Sequence, residues 1–216
     1  MQEVTTLTGM VIRSEPYGEY DRRVVLLTMQ QGKITAFAKG ARRQNSKLMA
    51  GTGLFAFGEF KLYPGRNAYT MVDADISNYF EKLMQDFEGA YYGMYFLEIA
   101  DYYTRENNDE SMMLKLLYVS CLALTHMEFE HELVRAVYEI KAIAVNGEFP
   151  GIPKKNTLDP DTIYTIEYIL SANVTKLFSF RVNEKVLKEL SNLAKQYCRH
   201  CIDKQFRSLS ILETLK

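Results

Sequence analysis

Acidic residues are missing from the whole stretch between Arg22 and Gly58, although the chain carries 27 of them in 216 residues. The same stretch holds Arg22, Arg23, Lys33, Lys39, Arg42, Arg43 and Lys47, interleaved with strand-like apolar runs. A soluble surface normally intersperses both signs, so a single-sign stripe is the electrostatic footprint of a polyanion binder. The formal net charge of −1 conceals the segregation. Residues 1–79 carry ten Lys/Arg against seven Asp/Glu, a net of +3, and residues 80–216 carry sixteen against twenty, a net of −4. Two halves so divided are expected to meet different partners.

Other absences narrow the class. Three cysteines, an odd number, do not make a disulfide framework and fit a reducing interior. No apolar run approaches the roughly 20 residues that span a bilayer. The opening Met-Gln-Glu-Val-Thr-Thr has neither a basic nor an apolar leader segment. A soluble, cytoplasmic, nucleoid-associated protein without membrane contact is expected. There is no Walker loop, no G-x-G-x-x-G and no triad order, so no catalytic residue and no enzyme activity are expected. Asp73 and Asp75 are close carboxylates with no third ligand or nucleophile beside them. Cys198-Arg-His-Cys201 looks like half a zinc site, yet a tetrahedral site needs two more donors and only Cys121, His126 and His131 remain. Its spacing puts both thiols on the apolar face of a helix, where free cysteine packs as a small hydrophobe. His126 and His131 are expected in a solvated turn. Neither metal nor cofactor is anticipated.

What is present divides by periodicity. Residues 6–14, 23–28, 33–38, 54–63 and 69–75 are rich in Val, Ile, Thr, Phe and Tyr, punctuated by Tyr17-Gly-Glu, Gln31-Gly32, Gly51-Thr-Gly53 and Pro64-Gly-Arg-Asn67. Five short strands within about 75 residues suit a small barrel of the OB or SH3-like kind. From residue 78 the apolar spacing becomes helical. Further helical segments are expected at about 111–128, 130–146, 159–171 and 183–204, with Gly147 as a helix stop and Pro150 and Pro153 preventing continuation. The Tyr-rich segment around Tyr91, Tyr92, Tyr95, Tyr102 and Tyr103 reads as helical core. The expected division is a β domain at 1–79 and an all-α domain at 80–216.

On the strand 54–63, alternation puts Phe55, Phe57, Glu59, Lys61 and Tyr63 on one side and Leu54, Ala56, Gly58, Phe60 and Leu62 on the other. The second set fills the barrel, which turns two Phe and a Tyr outward. They serve either to stack on bases or to pack against the helical domain, the latter being favoured. The sharper signal is the loop 39–47. Lys39, Arg42, Arg43 and Lys47 lead the candidates for phosphate contacts, with Lys33, Arg22, Arg23 and Arg66 behind them. A basic surface of this kind also suits an acidic peptide, as in a protein-interaction adaptor, or RNA in place of DNA.

These residues carry a resemblance. Gly9-Met-Val-Ile-Arg13, Tyr17-Gly-Glu-Tyr-Asp-Arg22, Leu27-Thr28, Gly32-Lys-Ile and Ala38-Lys-Gly-Ala-Arg-Arg43 resemble, in order and spacing, the N-terminal domain of the RecO family of bacterial recombination mediators. Arg135-Ala-Val-Tyr-Glu-Ile-Lys141, Asn146-Gly-Glu-Phe-Pro150 and Phe206-Arg-Ser-Leu-Ser-Ile-Leu212 resemble later family segments. The likeness implies an α+β chain, with a five-stranded OB-fold barrel followed by a helical domain. It implies binding of single- and double-stranded DNA, annealing of complementary strands, and cooperation with RecR and single-stranded-DNA-binding protein in loading RecA. The family often carries a four-cysteine zinc module after the Gly-aromatic-x-Pro turn. Here Gly151-Ile-Pro-Lys-Lys-Asn-Thr has no cysteine. Family members associate their helical domain with the C-terminal tail of single-stranded-DNA-binding protein, which makes Arg135 and Tyr138 candidate partner contacts.

Overall fold

The structure, a computed structural model, describes residues 3–153 and 158–214. The lysine pair of the 151–157 segment, where a zinc module was not expected, lies outside the described residues. The chain divides into two compact units: residues 1–81 with 100–114, and residues 82–99 with 115–216. Among the described residues no helix is long and apolar enough to cross a membrane.

The first unit is a closed barrel of β1 (Thr5–Tyr17), β2 (Asp21–Thr28), β3 (Gly32–Ala38), β4 (Phe57–Tyr63) and β5 (Tyr69–Asn78), in the order β1-β2-β3-β5-β4. Every pairing is antiparallel except β3 with β5, where Ala36, Phe37 and Ala38 run parallel to Tyr69, Thr70 and Met71. A short helix α1 (Leu48–Gly51) lies between β3 and β4. This is the OB-fold. Strict alternation builds its interior. Ile34, Ala36 and Ala38 of β3 and Phe60 and Leu62 of β4 are buried, and the residues between them are not. Val11, Val24, Leu26 and Met71 complete the core.

Closing five strands this tightly needs close backbone approach. Gly9 of β1 faces Gly58 of β4. A Cβ on Gly58 would stand 2.1 Å from the Asp75 carbonyl oxygen, and one on Gly9 would stand 2.5 Å from that of Leu27. Strand β4 begins at Phe57 rather than at 54, and the reason is local. Phe55 takes a left-handed φ of 68° and donates its N–H to Val11 O at 3.1 Å, while Val11 N–H donates to Ala56 O at 2.9 Å. The chain therefore crosses β1 before it pairs with it. Phe55 is turned fully inward, 6.4 Å from the Phe80 ring, and is not an outward aromatic as the alternation suggested.

Residues 100–114 belong to the same unit and are tied to the β2–β3 hairpin. Lys33 N–H donates to Arg105 O at 3.0 Å, and Asn107 N–H donates to Gln31 O at 3.1 Å. Asp101 accepts an ion pair from Lys33 at 3.0 Å and another from Arg13 at 3.4 Å.

The helices are α2 (Glu81–Gln85), α3 (Phe87–Tyr103), α4 (Ser111–Ala123), α5 (His131–Val145), α6 (Pro160–Ser171), α7 (Glu184–Cys201) and α8 (Arg207–Thr214). In the second unit α5 is the spine, with every residue from Leu133 to Ile143 buried. The Phe96 and Tyr138 rings stack at 4.2 Å. Caps follow the sequence: Asn183 accepts from Val186 N–H and Asp159 from Asp161 N–H, with Pro160 in the first turn of α6. His131 departs from expectation. It is not in a solvated turn but opens α5, half-buried, with Asp86 at 3.2 Å and Glu88 at 3.7 Å.

Replacing Gly58 with Ala should therefore strain the barrel closure. We expect a loss of about 2 kcal/mol or more, seen as a fall of roughly 10 °C in the melting temperature of the barrel unit by calorimetry.

Candidate nucleic-acid interface

The β1–β2 turn and the loop 39–47 are built as one body. Arg42 N–H donates to Tyr20 O at 2.8 Å, and the Arg42 guanidinium donates to Glu19 O at 3.2 Å and Gly18 O at 3.4 Å. Gly40 N–H donates to the Asp21 carboxylate at 2.7 Å. Gly40 itself has a φ of 66°, the turn a side chain would resist. The Arg43 guanidinium lies over the Tyr20 ring, 5.1 Å from its centre. Carbonyls, one carboxylate and one ring thus hold the loop, and its charges are left unneutralised. Among the described residues Lys39, Arg42, Arg43 and Lys47 are exposed and none makes an ion pair. The structure brings these four together on one loop.

The second-rank candidates separate. Arg23 is exposed on the outer face of β2, loosely facing Glu15 at 4.0 Å. Its neighbour Arg22 points to the other face and donates to Thr52 Oγ1 at 3.2 Å and Met49 O at 3.5 Å, capping α1. Lys33 does not join the basic face. Its ammonium donates to the Asp101 main-chain carbonyl at 2.6 Å and to its carboxylate at 3.0 Å, so its charge is spent inside the unit. Arg66 is exposed on the β4–β5 turn. Because β3 and β5 run parallel, that turn enters beside the start of the paired segment, while the basic loop leaves β3 at its end. Arg66 therefore stands apart from the loop along β3.

Some aromatic residues share the outer sheet face with these cations. Tyr63, Thr70, Phe37, Arg23 and Glu15 are successive cross-strand partners around the barrel. The Tyr17 ring packs against that of Phe37 at 4.7 Å, yet Tyr17 remains 53% exposed and Tyr63 39%. Sequence reasoning missed Tyr17, Tyr20 and Phe37. The signal was there for Phe37: alternation from Ile34 to Ala38 sends it outward.

In the helical unit Arg135 and Glu139 form a buried pair at 2.8 Å. Glu139 also accepts the Tyr95 hydroxyl at 2.7 Å, and the Arg135 guanidinium lies 5.5 Å from the Tyr95 ring centre. Burial, and then the Glu139 charge, push the Tyr95 hydroxyl well above its ordinary range. Arg135 lines a cleft of about 480 Å³ together with Lys195, Arg199 and Lys204, the acidic Asp203 and Glu213, and the apolar Ile202, Phe206 and Leu209. Tyr138 is a different matter. It is fully buried and donates its hydroxyl to Phe96 O at 2.9 Å, so it holds α5 to α3 and cannot touch a partner. Cys198 lines the same cleft, its thiol raised by burial and by Glu139, and Cys201 contacts Glu148 O at 3.4 Å. Among the described residues no group of three or more His, Cys, Asp or Glu could hold a metal ion.

Removing the Glu139 charge should leave Arg135 buried without its carboxylate. For Glu139→Gln we expect a loss of about 3–5 kcal/mol in urea unfolding of the helical unit, with the barrel transition unmoved.

A family model described as Recombination protein O N terminal matches residues 1–80. Proteins named DNA repair protein RecO match along the chain. That of Acetivibrio thermocellus is 28% identical over 96% of both chains. That of Alkaliphilus metalliredigens is 27% identical over 96% of this chain and 98% of its own. That of Clostridium perfringens is 24% identical over 96% and 97%. The barrel thus matches the family's N-terminal domain, and the end-to-end matches carry the similarity to RecO proteins through the helices.

Proposed function

We propose that the protein is a non-enzymatic mediator of DNA repair and recombination that binds single- and double-stranded DNA through its barrel and anneals complementary strands. The observation that carries this reading is the loop of four exposed, unpaired cations, Lys39, Arg42, Arg43 and Lys47, docked on the β1–β2 turn of an OB-fold. The name of its relatives, DNA repair protein RecO, supports the biological setting. Neutralising phosphates on two strands lowers their mutual repulsion. The strands then read each other by base pairing, while the protein contacts only the backbone. No bond is made or broken by the protein in this scheme. In keeping with the family resemblance, it would work with RecR and help place RecA on DNA covered by single-stranded-DNA-binding protein.

The helical unit supports a second contact. Its cleft carries Arg135, Lys195, Arg199 and Lys204 against Asp203 and Glu213, beside an apolar wall of Ile202, Phe206 and Leu209, and this excess of cations next to apolar surface supports an acidic peptide ending in hydrophobic residues. The C-terminal tail of single-stranded-DNA-binding protein is such a peptide. Arg135 contributes from the floor, with its charge already shared with Glu139, so the exposed Arg199 and Lys204 are its main electrostatic handles.

Two variants test the two surfaces separately. Arg42→Glu with Arg43→Glu should cut oligonucleotide affinity by at least about 100-fold in fluorescence anisotropy and abolish annealing. The wild-type protein should show a log–log salt slope of about −4 to −5, as expected for some six phosphate contacts. Wild-type affinity in that double variant would remove the loop from the reading. Matched DNA and RNA oligonucleotides distinguish the RNA alternative. Arg199→Glu with Lys204→Glu should instead weaken a labelled acidic peptide about tenfold or more and leave DNA affinity within twofold.

A further inference from the structure

We propose that the groove between α6 and the segment 178–183 is a docking site for an arginine side chain carried on an extended segment of another protein. The groove shares no lining residue with the cleft at Arg135, and its charge selects the opposite kind of ligand. The inference does not depend on the DNA-binding reading.

The rings come first. The cavity measures about 330 Å³, room for a long side chain with some of its main chain. One wall is a single stripe of α6, with Asp161, Tyr164, Thr165 and Tyr168 at positions i, i+3, i+4 and i+7. The other wall includes Phe180 and Arg181. The Tyr168 and Phe180 rings meet at 5.3 Å with their planes 77° apart, which makes a corner of two nearly perpendicular ring faces. That corner is held in place. The Tyr168 hydroxyl donates to Lys176 O at 2.9 Å and shares a hydrogen bond with Ser179 Oγ at 2.7 Å. Tyr164, one turn earlier, is 70% exposed and supplies a third ring at the mouth. Ring faces carry negative charge density, so several rings around one cavity attract a cation.

Charge makes the same selection. Residues 156–175 include Asp159, Asp161 and Glu167 and not one Lys or Arg. Asp161 lines the groove, and among the described residues its carboxylate has neither an ion pair nor a hydrogen bond, since only its main-chain groups are engaged. The cations nearby are already committed: Arg181 to Glu128 at 3.3 Å and Lys185 to Asp159 at 2.6 Å. A nucleic acid or an acidic peptide would meet the Asp161 carboxylate unopposed. An arginine suits the site better than a lysine, because its planar guanidinium stacks on rings and offers two N–H groups to one carboxylate.

The main chain beside the rings points to a peptide rather than a free cation. Phe180, Arg181 and Val182 belong to no helix or strand. Among the described residues their N–H and C=O groups make no hydrogen bond to the protein. A partner segment laid along them would pair with these groups while its arginine enters the ring corner. Main-chain bonds of that kind supply affinity, and the pocket for one side chain supplies specificity.

The test titrates the full chain with short labelled peptides that place one arginine, lysine, citrulline or glutamate among valines and threonines. The arginine peptide should bind about tenfold more tightly than the citrulline peptide, which keeps the shape and loses the charge. The glutamate peptide should not bind. Asp161→Asn and Tyr164→Ala should each weaken the arginine peptide by about five- to tenfold. Glu167→Gln removes an acid from the same helix outside the groove and should leave affinity within about twofold, which separates the site from general acidity. In the wild-type protein, a benzophenone placed beside the arginine should cross-link to α6 or to 178–183, a readout that needs no variant to fold. Absence of binding by the arginine peptide, equal binding of the citrulline peptide, no effect of Asp161→Asn and Tyr164→Ala, an equal loss in Glu167→Gln, or cross-links mapping elsewhere would each overturn the site. A lysine peptide bound as tightly as the arginine peptide would overturn the assignment to a guanidinium.

Discussion

Closure of the barrel is the constraint on which the rest of this chain depends. Five short strands make a sealed surface only because β3 and β5 join in parallel and β1 and β4 approach closely at Gly9 and Gly58. Closure fixes which residues point inward, and so leaves a defined outward set. It also dictates where the chain leaves the sheet. The loop 39–47 emerges at the end of β3, beside the β1–β2 turn, and hydrogen bonds from Arg42 and Gly40 hold it there. The location of the cations is thus a consequence of sheet topology, as is the ring-bearing face next to them.

Holding like charges together on one loop costs energy, and the structure shows how the cost is kept low. The four side chains are exposed, so each remains in water where unit charges a few ångströms apart repel by only about 1 kcal/mol. The loop is pinned through main-chain groups and one ring rather than through carboxylates on the cations. Its conformation is therefore set without using up its charge. The nearby Asp21 carboxylate is used on the Gly40 N–H rather than on a cation, so it fixes the loop without forming an ion pair with the four side chains.

Much of this was legible in the sequence, and the parts that were not share a cause. Alternation located the strands to within a few residues, and the change of period at residue 78 located the helices. The missing acids in 22–58 picked out the loop. What escaped were residues whose fate is decided by positions far away in the chain. Lys33 reads as surface, but Asp101, 68 positions on, receives it. Phe55 reads as outward on a strand that in fact begins two residues later, because its N–H is bonded to Val11. Tyr138 reads as accessible on an amphipathic helix, whereas α5 is covered on every side from Leu133 to Ile143 and offers no solvated face. Periodicity assumes one wet face, and a spine helix has none.

Arg135 and Arg42 show why exposure, rather than residue type, decides which cations serve a polyanion. Arg135 is taken out of water, so it must be paired, and Glu139 and the Tyr95 ring compensate for lost hydration. A cation so committed attracts few counterions and exchanges little when a phosphate approaches. Arg42 and its neighbours on the loop keep their hydration and their mobile counterions. In the proposed DNA complex, phosphates would replace those small ions, and their release into bulk solution would drive backbone binding. The same logic separates Lys33 from Lys39, six residues apart on the same stretch. One is bound to Asp101 inside the unit and the other is exposed to solvent, so only the second is placed to contribute to the salt dependence of the proposed binding.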